Sequence, residues 1–121
     1  MHLRLLIVDD DPHICRMLTI LFEAEGWSVD CADNVSAATQ AIQDHCYDVI
    51  VTDLRMEDPD SGIDVAICAR ECALPPAIVI LSAARLERNQ WQRFADAYVQ
   101  KGTDARKLVK IISDLGRSHA A

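Results

Sequence analysis

Charged and hydroxyl side chains follow short apolar runs at four places along this chain. A continuous run of branched aliphatic residues is typical of a strand that is buried on both faces of a parallel sheet. In open parallel sheets, ligands bind beyond the carboxyl ends of the strands. Three carboxylates, one hydroxyl and one amine at that edge would form a site for a divalent cation and a phosphoryl group. These residues are Asp9 and Asp10 after 5–8, Asp53 after 49–52, Ser82 after 78–81 and Lys101 after 98–100.

Strands and helices alternate along the whole chain, which predicts the elements that position those groups. Pro12 can open a helix capped by Asp11, and Gly26 can end it. A second helix begins near Asn34, and the last begins near Thr103. Repeated βα units with short connections predict an α/β fold in which helices cover both faces of a parallel sheet. The predicted strands are 3–8, 27–31, 47–53, 77–81 and 97–100, and the other two helices are 62–72 and 85–95.

Composition limits the classes of partner. A formal net charge of −7 over 121 residues disfavours direct binding of nucleic acid, which requires excess Lys and Arg. No apolar stretch approaches the roughly 20 residues of a membrane span, and the run from Leu5 is too short for a secretory signal. We therefore expect a cytoplasmic protein with no membrane contact, in one domain covering 1–121.

The cysteines and histidines carry no clear metal motif. Five cysteines are an odd number without C-x-x-C spacing, which predicts free thiols that act as small hydrophobic residues. Cys68 and Cys72 lie four residues apart, so a redox pair or half of a metal site remains the alternative. The four histidines have no partners at ligand spacing.

The four motifs together resemble the receiver domain of two-component response regulators, over essentially all 121 residues. The motifs are the acid pair Asp9-Asp10, the acid Asp53, the pair Ser82-Ala83 and Lys101, in order and each at a strand end. The resemblance implies a flavodoxin-like three-layer sandwich, with a five-stranded parallel sheet in the order 2-1-3-4-5 flanked by five helices.

The resemblance also implies a role for each site residue. Asp53 is the phosphoacceptor, and Mg²⁺, with Mn²⁺ as the alternative, lies on Asp10, Asp53 and the backbone carbonyl of Arg55, with Asp9 reached through water. Ser82, Ala83 and Lys101 contact the phosphoryl group. Tyr98 matches an aromatic residue that changes rotamer in receivers, although a static half-buried tyrosine is nearly as well supported. The implied partners are a histidine kinase or histidine phosphotransfer protein and an output protein or domain that the sequence does not identify.

Three features depart from the receiver pattern. In the segment after Asp53, proline is displaced by two positions and glycine by one, to Pro59 and Gly62, so the loop is longer. Gly102 follows Lys101 where many receivers have a cis proline. Only residues 83–100 separate Ser82 from Lys101, so we expect a short fourth helix. Trp91 in that segment has two interpretations, an exposed anchor for another protein or a residue buried against the sheet.

Two other functions are compatible with part of the pattern. A receiver-like adaptor would bind partners without phosphorylation, and the complete acid set argues against it. A metal-dependent phosphatase of the haloacid dehalogenase type also uses an aspartate nucleophile on a parallel sheet, but it needs a second acid where this chain has Arg55. No output domain follows within 121 residues, so the chain either acts through protein contacts or is part of a longer regulator or hybrid kinase.

Overall fold

A computed structural model describes residues 2–120, so the two ends of the predicted 1–121 domain lie outside the described residues. Its centre is a five-stranded parallel sheet in the order β2-β1-β3-β4-β5, which confirms the predicted fold class. Strands β1 and β3 are neighbours in the sheet, so the groups that follow them meet at one edge. The strands are β1 Arg4–Val8, β2 Ser28–Ala32, β3 Val49–Thr52, β4 Ala77–Ser82 and β5 Ala97–Gln100.

Helices cover both faces of the sheet and give the three predicted layers. Alternate residues of each strand point to opposite faces, so Leu5 and Ile7 join one buried cluster while Leu6 and Val8 join the other. The first cluster is covered by α1 and α5, and the second by α2, α3 and α4. The helices are α1 Pro12–Ala24, α2 Val35–Asp44, α3 Ser61–Arg70, α4 Arg88–Trp91 and α5 Ala105–Ala120.

The first two helices begin where their capping residues predict. The side chain of Asp11 accepts a hydrogen bond from the backbone N–H of His13 at 2.9 Å, and Asn34 accepts one from Ala37 at 2.8 Å. Each bond satisfies an N–H that has no partner within the helix. Gly26 follows α1 with a φ of +87°, a conformation that favours glycine.

The prediction of a fourth helix over 85–95 is wrong, because α4 is a single turn at Arg88–Trp91. The side chain of Gln90 accepts a hydrogen bond from the backbone N–H of Glu87 at 2.7 Å, which fixes the helix start three residues later than expected. The short connection between β4 and β5 must also run back from the carboxyl edge of the sheet to the start of β5. An extended chain covers about 3.3 Å per residue against about 1.5 Å in a helix, so part of this return is made without helix.

The last helix begins two residues later than expected and continues to Ala120. Asp104 caps it by accepting from the backbone N–H of Arg106 at 2.8 Å, whereas the hydroxyl of Thr103 donates to the carbonyl of Gln100 at 2.7 Å. Gly116 on this helix faces Trp27, and a Cβ at that position would meet the indole ring at 2.5 Å. Gly116 therefore lets α5 pack closely on the core. Within residues 2–120, no helix combines the length and the apolar character needed to cross a membrane.

Candidate functional site

Three carboxylates meet at the carboxyl edge of the sheet. Val8 and Thr52 are paired across β1 and β3, and the backbone N–H of Asp53 donates to the carbonyl of Val8 at 2.8 Å. This register places Asp9 beside Asp53. Oxygens from Asp9, Asp10 and Asp53 lie within 4.8 Å of one another. Asp9 and Asp53 are buried and Asp10 is exposed, so the cluster opens to solvent on the side of Asp10.

Lys101 bridges the two buried acids. Its Nζ lies 3.0 Å from Oδ2 of Asp53, to which it donates a hydrogen bond, and 3.0 Å from Oδ2 of Asp9. Although burial alone lowers the pKa of Lys101, the bonds to Asp53 and Asp9 outweigh that effect and raise the pKa above its ordinary value. Lys101 therefore carries its full charge at neutral pH. The backbone N–H of Lys101 also donates to the carbonyl of Ser82 at 2.9 Å, which fixes the end of β5 against β4.

The negative charge of Asp9 is only partly compensated by Lys101. Its Oδ1 accepts from the backbone N–H of Asp11 at 2.9 Å, and its buried Oδ2 forms an ion pair with Lys101 at 3.0 Å. Burial raises the pKa of Asp9, and the nearby charge of Asp53 adds to the rise, against the opposing effects of Asp11 and Lys101. Three carboxylates around one ammonium leave the pocket with excess negative charge, and an oxygen of each lies within 4.8 Å of the others. Three such oxygens suit a hard cation such as Mg²⁺.

Gly62 holds the start of α3 against the acid cluster. A Cβ on residue 62 would collide with the backbone carbonyl of Asp53 and lie 2.7 Å from the Cα of Leu54. The N–H of Gly62 donates to the carbonyl of Leu54 at 2.8 Å. Gly62, the displaced glycine of the loop, is therefore required because the backbone of residues 53–54 passes too close for a side chain. Its shifted position in the sequence was visible, but the contact depends on the folded path of the loop.

The longer loop after Asp53 is tied down at two points. The hydroxyl of Ser61 donates to the carbonyl of Asp58 and accepts from its N–H, both at 3.0 Å. A carboxylate oxygen of Glu57 accepts from the backbone N–H of Val35 at 3.0 Å, at the first turn of α2. Glu57 thus serves the amino end of a helix, where negative charge is favourable.

The remaining predicted contacts surround the same edge. Ser82 is buried, and its Oγ accepts from the backbone N–H of Ala84 at 3.3 Å, while Ala83 is exposed. Arg55 is exposed on the loop directly after β3, and its charge only partly opposes the rise that burial causes in the pKa of Tyr98. Gly102 adopts a φ of +95°, so glycine is favoured there by the backbone itself.

Tyr98 points toward the site and Trp91 packs on it. The pKa of Tyr98 is raised, mainly by burial, with the hydroxyl of Ser82 and the charges of Asp53 and Arg55 as its polar surroundings. Its hydroxyl is buried and makes no hydrogen bond within ordinary distance limits. The Trp91 ring stacks on Tyr98 with centroids 6.0 Å apart and planes at 24°. Trp91 falls between the two interpretations, because its side chain packs on the buried cluster of that face and is itself only half-buried.

The thiols include a spatial pair that sequence spacing did not reveal. All five cysteines are free, as predicted. Cys72, just past the end of α3, donates to the carbonyl of Cys68 at 3.9 Å. Cys15 on α1 and Cys31 on β2, however, lie side by side. Residues 16 positions apart on a helix and a strand have no local spacing signal.

The three acids and the lysine lie at the carboxyl edge of a doubly wound parallel sheet, which is the edge where proteins of this architecture bind their ligands. The profile of the response regulator receiver domain matches residues 5–113 of this chain. This chain belongs to the response regulator receiver domain family, as the resemblance in the sequence indicated.

Curated relatives support this assignment. The chain is 34% identical over 117 residues to the transcriptional regulatory protein ResD of Bacillus subtilis, covering 94% of this chain and 48% of ResD. It is also 34% identical over 116 residues to the transcriptional regulatory protein SrrA of Staphylococcus aureus, covering 93% of this chain and 47% of SrrA. The chain thus spans about half the length of these relatives.

Solved structures agree with the fold. The response regulator TrrA of Thermotoga maritima, determined in complex with Mg²⁺-BeF, is 30% identical with a TM-score of 0.81, covering 93% of this chain and 97% of TrrA. A CheY-like receiver domain of Methanospirillum hungatei has a TM-score of 0.87 at 20% identity, covering 99% of this chain and 98% of that one. The second similarity concerns the fold alone.

Proposed function

We propose that this receiver domain accepts a phosphoryl group on Asp53 from a phosphohistidine donor, in a reaction that depends on Mg²⁺. The observation that carries the proposal is the position of Lys101, 3.0 Å from both Asp9 and Asp53. A half-buried ammonium held between two carboxylates, beside a third, is suited to neutralise an incoming phosphoryl group. A lysine needed only for stability would not require the exposed acid Asp10 in the same cluster.

Each residue at the edge has a role in the proposed transfer. Asp53 follows the central strand β3 and attacks phosphorus with a carboxylate oxygen, forming an acyl phosphate while the donor leaves. Lys101 stabilises negative charge on the transferred group, and the hydroxyl of Ser82 donates a hydrogen bond to it. For that bond Ser82 needs only to rotate, since its present partner is the N–H of Ala84.

The residues present fit a magnesium ion. Asp10, Asp53 and the backbone carbonyl of Arg55 would hold it, with Asp9 contributing through water, and Mn²⁺ is the alternative. When bound, the ion would supply positive charge that offsets the phosphoryl oxygens and the three acids. The fit rests on the three carboxylates, whose oxygens lie within 4.8 Å of one another. The crystal structure of TrrA in complex with Mg²⁺-BeF supports the same chemistry by analogy.

The proposed partners follow from the relatives. Both ResD and SrrA are transcriptional regulatory proteins, and about half of each lies beyond the matched region. We propose a histidine kinase or phosphotransfer protein as the donor, in the cytoplasm, and an output partner or domain that responds to the phosphorylated state. The domain itself is not a turnover enzyme in this proposal, because the product remains attached to Asp53, and it makes no direct contact with nucleic acid or membrane.

Two alternatives have different expectations. An adaptor that never becomes phosphorylated would not need Lys101 between Asp9 and Asp53. A haloacid dehalogenase-type phosphatase would need an acid at Arg55, which is exposed and basic. We therefore retain the receiver function as the proposal and the adaptor as its competitor.

A small-molecule phosphodonor separates these functions. The chain is incubated with acetyl phosphate, with and without Mg²⁺, and its intact mass and its sensitivity to hydroxylamine are followed. We expect one hydroxylamine-labile phosphoryl group that forms only with the metal. No phosphorylation under either condition would favour the adaptor, and continuous release of phosphate without an accumulating adduct would favour a phosphatase.

A further inference from the structure

Two cysteines from separate elements form a thiol pair beside the acid cluster. The sulfur of Cys31 lies 4.0 Å from the backbone carbonyl oxygen of Cys15. The hydroxyl of Thr19 joins them, donating to that carbonyl at 2.6 Å and lying 3.5 Å from the sulfur of Cys31. The two thiols are neighbours, and each lies in the electrostatic surroundings of the other. This proximity comes from packing of α1 on β2.

The pair is accessible from solvent. Cys31 is exposed on the edge strand β2, while Cys15 is half-buried on α1. Both line a cleft of about 530 Å³ whose walls also include Asp9 and Asp10. A small polar oxidant can therefore reach Cys31 directly.

We propose that Cys15 and Cys31 are a redox modification site that closes to a disulfide under peroxide. In the first step the sulfur of Cys31 attacks one oxygen of hydrogen peroxide, so the O–O bond breaks, Cys31 becomes a sulfenic acid and water leaves. In the second step the sulfur of Cys15 attacks the sulfur of Cys31, and its proton leaves with the sulfenic hydroxyl as a second water. Peroxide gains the two electrons that the thiol pair loses.

Exposure sets the order of the two steps. Cys31 is exposed whereas Cys15 is half-buried, so peroxide meets the sulfur of Cys31 first. The second step then depends on the adjacency of the two sulfurs. Low-molecular-weight thiols reverse the reaction by exchange.

The disulfide would also act on the acid cluster, a consequence that rests on the proposed phosphorylation. The thiol of Cys15 donates to the backbone carbonyl of Asp9 at 3.6 Å. A disulfide has no S–H, so that carbonyl loses its donor while α1 is drawn toward β2. We expect phosphorylation of the oxidised chain to be at least twofold slower than that of the reduced chain.

Peptide mapping tests the pairing. Trypsin leaves Cys31 and Cys46 in one peptide, 17–55, because no Lys or Arg lies between Arg16 and Arg55. The full chain therefore carries Cys46→Ser, at an exposed position. The reduced protein is treated with one equivalent of hydrogen peroxide, free thiols are alkylated, and the digest is examined without reductant. We expect peptides 5–16 and 17–55 to be linked, at least tenfold above any other pair, and released by dithiothreitol.

Matched variants complete the experiment. Adding Cys31→Ser should abolish the linkage and leave a melting curve like that of the parent, since the position is exposed, whereas adding Cys68→Ser should leave the linkage intact. Three outcomes would overturn the proposal. Cys31 could be oxidised further while Cys15 is recovered alkylated, Cys31 could link two chains, or the dominant link could be Cys68–Cys72. The peptide mapping needs no phosphoryl transfer, so its result is independent of the proposed function. Equal phosphorylation rates of the oxidised and reduced chains would overturn the coupling to Asp9 alone.

Discussion

The indole of Trp91 lies almost parallel to the phenol of Tyr98, 6.0 Å away between ring centroids. The tyrosine is thereby held between the single turn of α4 and the buried Ser82. A rotamer change that moved Tyr98 out of the site would have to break this stack. Tyr98 therefore cannot change position without changing the surroundings of Trp91.

Trp91 should report on the state of the site by its fluorescence. Addition of beryllofluoride with Mg²⁺ alters the contacts of Ser82 and hence of Tyr98, so we expect a change in indole emission. The chain has a second tryptophan, Trp27, which is buried against Phe22 on the other face. A Trp27→Phe variant should keep the change and Trp91→Phe should lose it. The same response in both variants would contradict the coupling.

Gly62→Ala should destabilise the chain and impair the site. A methyl group at residue 62 collides with the carbonyl of Asp53, and overpacking of this kind costs about 1–3 kcal/mol. For a domain of this size that is a fall in melting temperature of roughly 3–15 °C. Ile67→Ala, at an exposed position of the same helix, is the control and should change stability little. Equal melting temperatures for Gly62→Ala and wild type would show that the loop adapts.

Asp53→Asn should abolish formation of the acyl phosphate while the domain stays folded. The amide keeps the shape of the side chain but lacks the nucleophilic oxygen, and it removes one of the mutually repelling charges. Asp60→Asn, on the loop before α3, is the matched acid control and should be phosphorylated normally. Phosphate retained at undiminished level in Asp53→Asn would disprove the assignment of the acceptor.

Mg²⁺ at millimolar concentration should raise the melting temperature of the unphosphorylated chain. A ligand that binds only the folded state stabilises it by mass action, by about 1.4 kcal/mol at ten times its Kd. Asp10→Ala should remove the shift, because this exposed acid is available to the ion. Asp64→Ala, an exposed acid on α3, should retain it. A wild-type melting curve indifferent to Mg²⁺ would count against the metal site.

The stability of the metal-free chain should depend on the protonation of Asp9. Because the pKa of Asp9 is raised above 3.8 in the folded state, the stability linked to its proton is present below that value and is lost as the pH rises through the folded pKa. Asp9→Asn should therefore raise the melting temperature at pH 7 without Mg²⁺, and the gain should shrink toward pH 4.

Two comparisons isolate this effect. Asp33→Asn replaces an exposed acid in the same cleft and should give no such gain. The raised pKa of Lys101 acts in a different window, since its stabilising effect is lost only as the pH rises through a value above 10.5. A lower melting temperature for Asp9→Asn at pH 7 without metal would show that pairing with Lys101 outweighs burial.

The sequence predicted the sheet because its signals are local. Each apolar run ends in a polar group, and Asp11 and Asn34 cap the helices that follow the first two strands. The segment 85–95 could not be predicted in the same way, because its composition suits a helix. Its path is set instead by the short distance left before β5 and by the hydrogen bond between Gln90 and Glu87.

The same limit applies to contacts at the site. The gathering of Asp9, Asp53 and Lys101 follows from strand order and parallel pairing, so the strand ends were sufficient to predict it. The approach of Gly62 to the Asp53 carbonyl depends on how the longer loop folds back. The pairing of Cys15 with Cys31 depends on the rotation of α1 over the sheet edge, which no sequence spacing encodes.

The hydrogen bond from Val35 to Glu57 gives the loop after Asp53 a mechanical attachment to α2. A second line of contacts runs from the neighbourhood of Asp53 toward β5, through Ser82, Tyr98 and Trp91. These two lines leave the centre of the sheet in opposite directions, since α2 follows the edge strand β2 and Tyr98 lies on the other edge strand. We expect a change of charge at Asp53 to alter contacts on both flanks of the molecule, so that partners on either side could respond to it without touching one another.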